Sequence, residues 1–342
     1  MADRDTPSYL LLSAASFVVL IAGLRAADTI AIPVLVALFA GILSLPLLFW
    51  LQAKGVPRTL AIVATMLAAT GLLVAAGFLL GTAVTKVAAE VPVYQEGLRE
   101  VVSQGVEWIR ARGVAVETAD FFNPDAILDM ATATMGRVAA LAQDTILVAL
   151  ITVFLLFEAA SFPDKLQAAF GERSEMVERL RRVTDEVQRY LVLKTFMSAL
   201  LGVGAYAWTW ATGVDYPVFW GLLGFVMHYI PNIGAFLGAI PAVLLALVQY
   251  GVGRATVVAI GFVVMDTILG NLVEPPLMGR RFGLSPLVVF LSLVFWGWVW
   301  GPVGMLLSVP LTIILKIILE GTRDWRWLAV LLGRGPEKAD AT

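Results

Sequence analysis

Ile230-Pro231-Asn232-Ile233-Gly234 and Trp300-Gly301-Pro302-Val303-Gly304 break two long apolar helices in the region Phe219 to Gly304, around which the rest of the chain is arranged. Both read as turning points of membrane hairpins. Segments 217–230 and 233–249, on either side of the first break, are near the low end of the about 17 to 25 residues that a helix needs to cross a bilayer. Neither half is read as a span. Pro231 lacks an N–H and Gly234 has no side chain, so helical hydrogen bonding fails there. Backbone left unpaired at membrane depth survives only where it is buried in protein or lines a wet cavity. The stretch is therefore a candidate site for a solute crossing the membrane.

Composition supports the membrane reading. The chain has 342 residues, 59% of them apolar and 15% charged, with a mean hydropathy of +0.86. This lies outside the range of ordinary soluble domains. A net charge of −2 without basic blocks argues against a nucleic-acid partner. There is no Cys and a single His, His228, so disulfides, thiolate metal sites and His-based metal sites are not expected, nor is any cofactor.

Apolar windows lie at 8–25, 30–51, 59–85, 141–160 and 193–212, followed by the first hairpin, a span at 254–273 and the second hairpin at 286–319. None alternates as a barrel strand would. The run Tyr9 to Leu24 has no small-residue cleavage site and reads as a retained first span. The expected fold is an all-α membrane protein with six transmembrane helices, two opposed re-entrant helical hairpins and a small helical extramembrane segment. The domain boundaries follow: 1–85, a three-helix membrane region; 86–140, an extracytoplasmic helical segment; 141–194, the fourth span and a cytoplasmic amphipathic helix. Residues 195–322 form the core carrying hairpins 217–249 and 286–319, and 323–342 form a cytoplasmic tail.

Charge sets the orientation. Lys54 and Arg58 follow the second span, while Arg25 in the preceding connection is offset by Asp28, so the positive-inside rule places the N-terminus in the cytoplasm. Segment 161–194, with Lys165, Arg173, Arg179, Arg181, Arg182, Arg189 and Lys194, then falls inside. If 217–249 starts and ends on the outer side, Arg280 and Arg281 fall inside too; if it crosses, they fall outside. The rule favours the hairpin. The C-terminus, with Arg323, Arg326, Arg334 and Lys338, is cytoplasmic in both cases.

An ionisable group inside a span costs about 2.5 to 3.5 kcal/mol on insertion scales, so each such group is a functional candidate. Asp266 sits well inside span 254–273. Asn271 and Glu274 follow it, and helical spacing puts Asp266 and Glu274 beside one groove. Desolvation could fit Asp266 for proton coupling; a structural pairing with a base or hydroxyl on a neighbouring helix is the equal alternative. Glu274 either forms a gate with Arg280 and Arg281 or anchors the interface. Asn232 either bonds substrate or caps the following helix. His228 is read as a packing residue or helix-end donor in preference to a proton relay. Trp296, Trp298 and Trp300 read as packing at the second tip in preference to a stacking platform, and Lys316 as a snorkelling interfacial lysine. No HExxH, no Gly-x-Ser-x-Gly elbow and no Walker A sequence is present, so an enzyme is not expected.

Pro231-Asn232-Ile233-Gly234 with Gly238 and Pro241, then Asn271, Glu274-Pro275, Gly279, Leu284, Pro286, Trp296-Gly297, Gly301, Gly304 and Pro310, resembles the C-terminal signature of the autoinducer-2 exporter family of bacterial permeases. The resemblance covers 190–320; the N-terminal half agrees only in layout. It implies a bacterial inner-membrane exporter of small molecules, with autoinducer-2 as the name-giving substrate, and a homo-oligomer, pentamers included. Other members look like sodium or lithium/proton antiporters. Asp266 stands where many relatives carry a neutral polar residue, which keeps the antiporter alternative open. The substrate or ion site implied by the breaks and embedded polar groups comprises Asp266, Asn271, Glu274, Asn232, Pro231, Gly234, Gly301 and Pro302.

Overall fold

The computed structural model describes residues 6–112, 145–171, 175–231, 233–278, 284–322 and 325–333. Among these residues the regular structure is helical, apart from an isolated bridge between Leu284 and Gly333. In chain order the helices are α1 (Thr6–Ala26), α2 (Asp28–Ala53), α3 (Arg58–Arg110), α4 (Thr145–Phe170), α5 (Glu175–Thr212), α6 (Pro217–Met227) and α7 (Gly234–Asp266). A π-helical stretch, Thr267–Val273, leads into α8 (Glu274–Met278), followed by α9 (Pro286–Glu320) and α10 (Arg326–Leu332). Five helices among the described residues are long and apolar enough to cross a membrane. Four buried threonines are satisfied locally: Thr65, Thr152, Thr209 and Thr312 each donate to the carbonyl four residues back, at 2.7 to 2.8 Å.

Two compact units divide the chain, one of residues 1–66, 147–181 and 284–342, the other of residues 67–146 and 182–283. In the first, α1 and α2 pack on each other and on α9. Ser285 starts α9 by accepting the Val288 N–H at 3.2 Å, with Pro286 in the first turn, where a missing N–H does no harm. Trp300 (φ −128°, ψ 19°) and Gly301 (φ 62°, ψ −144°) leave helical geometry, and Pro302 restarts it. The chain reverses there: Trp296 Nε1 donates to Thr312 Oγ1 at 3.1 Å, whereas residues that far apart in a straight helix would stand about 24 Å apart. The reversal is tight because Gly304 lies against the Trp296 carbonyl, where a Cβ would come within 1.9 Å of the oxygen.

The tip of this hairpin is fixed to the end of α1. Trp300 Nε1 donates to Leu24 O at 2.9 Å, and the Arg25 guanidinium lies 5.0 Å from the centre of the Trp298 ring. Trp296 and Trp300 stack with ring centroids 5.1 Å apart. The tip thus sits beside the α1–α2 turn. At the other end, α10 brings the chain back to the start of α9, with Ser285 N–H donating to Leu332 O at 3.2 Å. Lys316 Nζ is 3.6 Å from Glu320, one turn nearer the helix end.

In the second unit α5 is a platform. The face carrying Val187, Tyr190, Leu191, Lys194, Ser198, Leu201 and Ala205 is buried. Glycines allow the close approach of its neighbours: Gly202 and Gly221 bring α5 and α6 together, and Gly261 takes the indole of Trp208, whose Nε1 a Cβ there would meet at 2.0 Å. Helices α6 and α7 form the other hairpin. Ile230 N–H donates to Met227 O at 2.9 Å and Gly234 N–H to Ile230 O at 3.2 Å, closing the turn. Gly238 of α7 then packs against Gly224 and Met227 of α6. The far ends meet as well: the Gln249 amide holds the Asp215 carboxylate, and Tyr250 OH donates to Gly213 O at 2.7 Å. Just beyond, Gly251 takes φ 77° and ψ −176°, a combination open essentially to glycine alone, and separates the hairpin from the second half of α7.

Two helices run on across the segment boundaries read from sequence. The amphipathic stretch after Ser174 is not a separate helix but the first part of α5, which runs unbroken from Glu175 to Thr212. Likewise α3 continues as one helix of 53 residues past position 86, a length of about 80 Å against a hydrocarbon core of about 30 Å. The remainder of the expected extracytoplasmic segment, 113–140, lies outside the described residues.

Candidate functional site

Three elements of the second unit converge on one carboxylate. Lys194, on the buried face of α5, places Nζ 2.6 Å from Oε1 of Glu274, the first residue of α8. His228, at the C-terminal end of α6 where the hairpin turns, places Nε2 3.1 Å from Oε2 of the same group, without hydrogen-bond alignment. Side-chain exposure is 5% for Lys194 and His228 and 12% for Glu274. Beside them Thr195 Oγ1 donates to Leu191 O at 2.6 Å, which leaves Tyr229 OH as the donor in its own 2.6 Å bond to Thr195. Tyr190 and Asp266 lie within electrostatic reach of Glu274, and Asp266 is also within reach of Lys194 and His228. No hydrogen bond or ion pair holds Asp266 among the described residues.

The helix that delivers these acids is irregular. Across Thr267–Val273 the ladder widens to an i→i+5 spacing, and the Glu274 N–H donates to Leu269 O. Such stretches are rare and recur at functional sites. Because each residue there advances by less than the about 100° of an α-helix, the α-helical spacing used to align Asp266 with Glu274 does not apply. Gly270 lies against Asp266, whose Oδ1 would be 3.1 Å from a Cβ at that position. Asn271 is exposed.

The remaining sequence candidates divide. Pro231 and Gly234 form the turn beside His228, and a Cβ on Gly234 would come within 1.8 Å of the Met227 carbonyl oxygen. Gly301 and Pro302 belong to the tip of the other unit's hairpin. Asn232, Arg280 and Arg281 lie outside the described residues. Glu274 is engaged by Lys194 and His228; its expected role as a gate with Arg280 and Arg281 or as an interfacial anchor falls on residues outside those described. Lys194, counted in sequence among the bases of segment 161–194, is buried in the cluster. Its spacing carried the signal, since 187, 191, 194, 198 and 201 continue a single stripe at intervals of three and four.

A family profile described as "AI-2E family transporter" matches residues 14–324. The chain belongs to this family. It is 37% identical over 318 residues to the AI-2 transport protein TqsA of Escherichia coli strain K12, covering 92% of each protein. It is 34% identical over 337 residues to the "Putative transport protein YhhT" of the same strain, covering 98% of this chain and 97% of the relative. The family and the long apolar helices together make this a multi-pass membrane protein of transporter type. These AI-2E relatives are named for transport, not for catalysis.

Proposed function

We propose that the chain is a secondary-active transporter of the bacterial cytoplasmic membrane that exports a small polar organic molecule of the autoinducer-2 type, coupled to an ion. The relative named as an AI-2 transport protein supports the substrate class. The observation that carries the reading is the buried Lys194–Glu274–His228 contact at the turn of a helical hairpin. Charges in a transmembrane region are costly and mark solute and ion pathways, and discontinuous helices supply the polar backbone that a substrate meets. The hairpin arms Pro217–Met227 and Gly234–Tyr250 are about 16 and about 25 Å long, both short of the about 30 Å core, and their far ends are tied together. This hairpin is re-entrant in our reading. Asp266, Asn271 and Glu274, with Pro231, Asn232 and Gly234, surround the substrate position; Gly301 and Pro302 shape a second tip, and Arg280 and Arg281 guard the cytoplasmic side. Both termini are cytoplasmic, and the protein is a homo-oligomer, which cross-linking in native membranes will test.

Efflux of autoinducer-2 from proteoliposomes under an imposed pH gradient tests the proposal. Wild-type protein accelerates gradient-dependent efflux and Asp266→Asn loses the dependence; efflux no faster than from empty vesicles would overturn it. The second reading, a sodium or lithium/proton antiporter, is favoured by Asp266, the one carboxylate of the cluster without a bonded partner among the described residues. It requires sodium-dependent proton movement in the absence of organic substrate.

A further inference from the structure

The cluster sets one ammonium, Lys194, against two carboxylates, the buried Glu274 and the partly buried Asp266. We infer that Lys194 is a tethered cation that permanently occupies Glu274, leaving Asp266 to exchange a single positive charge, a proton or a monovalent cation, in each cycle. This rests on the ion-coupled reading above and narrows it to one position and one charge.

Geometry divides the two carboxylates. Glu274 has an ammonium 2.6 Å from one oxygen and an imidazole 3.1 Å from the other, so both oxygens are covered. A mobile cation arriving there has to displace a side chain anchored on α5, whose buried face holds it in place. Asp266 is only partly buried, at the head of the π-helical stretch, with no bonded partner among the described residues. Beside the pair, Ser198 Oγ, one turn along α5 from Lys194, is fully buried and without a hydrogen-bond partner among the described residues. Buried polar atoms without partners are rare and call for an occupant. Among the described residues the titratable groups within electrostatic reach of Asp266 are Lys194 on α5, His228 at the turn and Glu274. One ammonium stands against the two carboxylates, so one carboxylate is left without a fixed cation. A carboxylate without a cation in a partly buried site is disfavoured, and a single added positive charge at Asp266 balances it.

The test is proton release from purified full-length protein in weakly buffered detergent solution on addition of sodium or lithium ions. Wild type is expected to release about one proton per chain as the ion replaces it, and Asp266→Asn to release none. Lys194→Met frees Glu274 and is expected to raise release toward two per chain. Should that variant fail to fold, the neutral pair Lys194→Met/Glu274→Gln removes both charges together and is expected still to release one, at altered ion affinity. Unchanged release from Lys194→Met, or none from the double variant, overturns the assignment while leaving ion coupling intact. No release from wild type with either ion overturns both.

Discussion

Gly234→Ala isolates what the first hairpin turn requires. A Cβ at this position would stand 1.8 Å from the Met227 carbonyl oxygen, 2.8 Å from its carbon and 3.1 Å from Ile230 Cβ. Backbone cannot swing aside as a side chain does, so the gap has to open from 1.8 Å to at least 3.0 Å. The same oxygen accepts the Ile230 N–H at 2.9 Å, and a net hydrogen bond of this kind contributes about 1 kcal/mol. Opening the turn also lifts Gly238 from Gly224, and overpacking of a fitted contact costs a further 1 to 3 kcal/mol or so. The expected destabilisation is about 2 to 4 kcal/mol. Gly253, in the same helix, has nothing within 4 Å of its Cβ position, and alanine there gains about 0.5 to 1 kcal/mol from helix propensity. Denaturant titration of the purified variants in one detergent measures both. Equal stability of Gly234→Ala and Gly253→Ala would refute the account of the turn.

Other outcomes follow from the same contacts. A double-mutant cycle on Lys194→Ala and Glu274→Gln is expected to show a coupling energy above about 2 kcal/mol, because removing one partner of a buried pair strands the other; a coupling near zero in unfolding titrations would mean the pair is solvated. Gly251→Ala has to place a side chain at φ 77° and ψ −176° and is expected to cost about 1 to 3 kcal/mol despite open space around it, read from the same titrations. Trp300→Phe keeps a ring against Trp296 but loses the bond to Leu24 O, with an expected loss of about 1 kcal/mol; indole fluorescence of the remaining tryptophans should shift little.

The hairpins were legible because proline and glycine act locally. Pro231 and Gly301 interrupt helices whatever surrounds them, and the turns fall at the quoted stretches. The contact of the second tip with α1 was not legible, because it is made by a hydrogen bond from Trp300 to Leu24, far apart in sequence. Asp266 and Glu274 were visible as acids within an apolar helix, but the partners of Glu274 were not. The nearby Arg280 and Arg281 drew the reading in sequence, while the residues that meet it come from α5 and from the hairpin turn. Lys194 was counted with its basic neighbours because charge near a helix end is usually wet. The unbroken apolar stripe on either side of it was the sign that it turns inward. The i→i+5 stretch left no local mark, since its residues, Thr267 to Val273, are compatible with an ordinary helix.

That stretch makes the position of Glu274 a matter of gearing. Its backbone N–H meshes with Leu269 O; were it to engage Gly270 instead, everything beyond would rotate by about 100° and advance about 1.5 Å. One tooth of slip would carry the carboxylate away from both Lys194 and His228 while leaving α5 and the hairpin untouched. The contact of Glu274 with Lys194 and His228 is thus held by the pitch of one short helix.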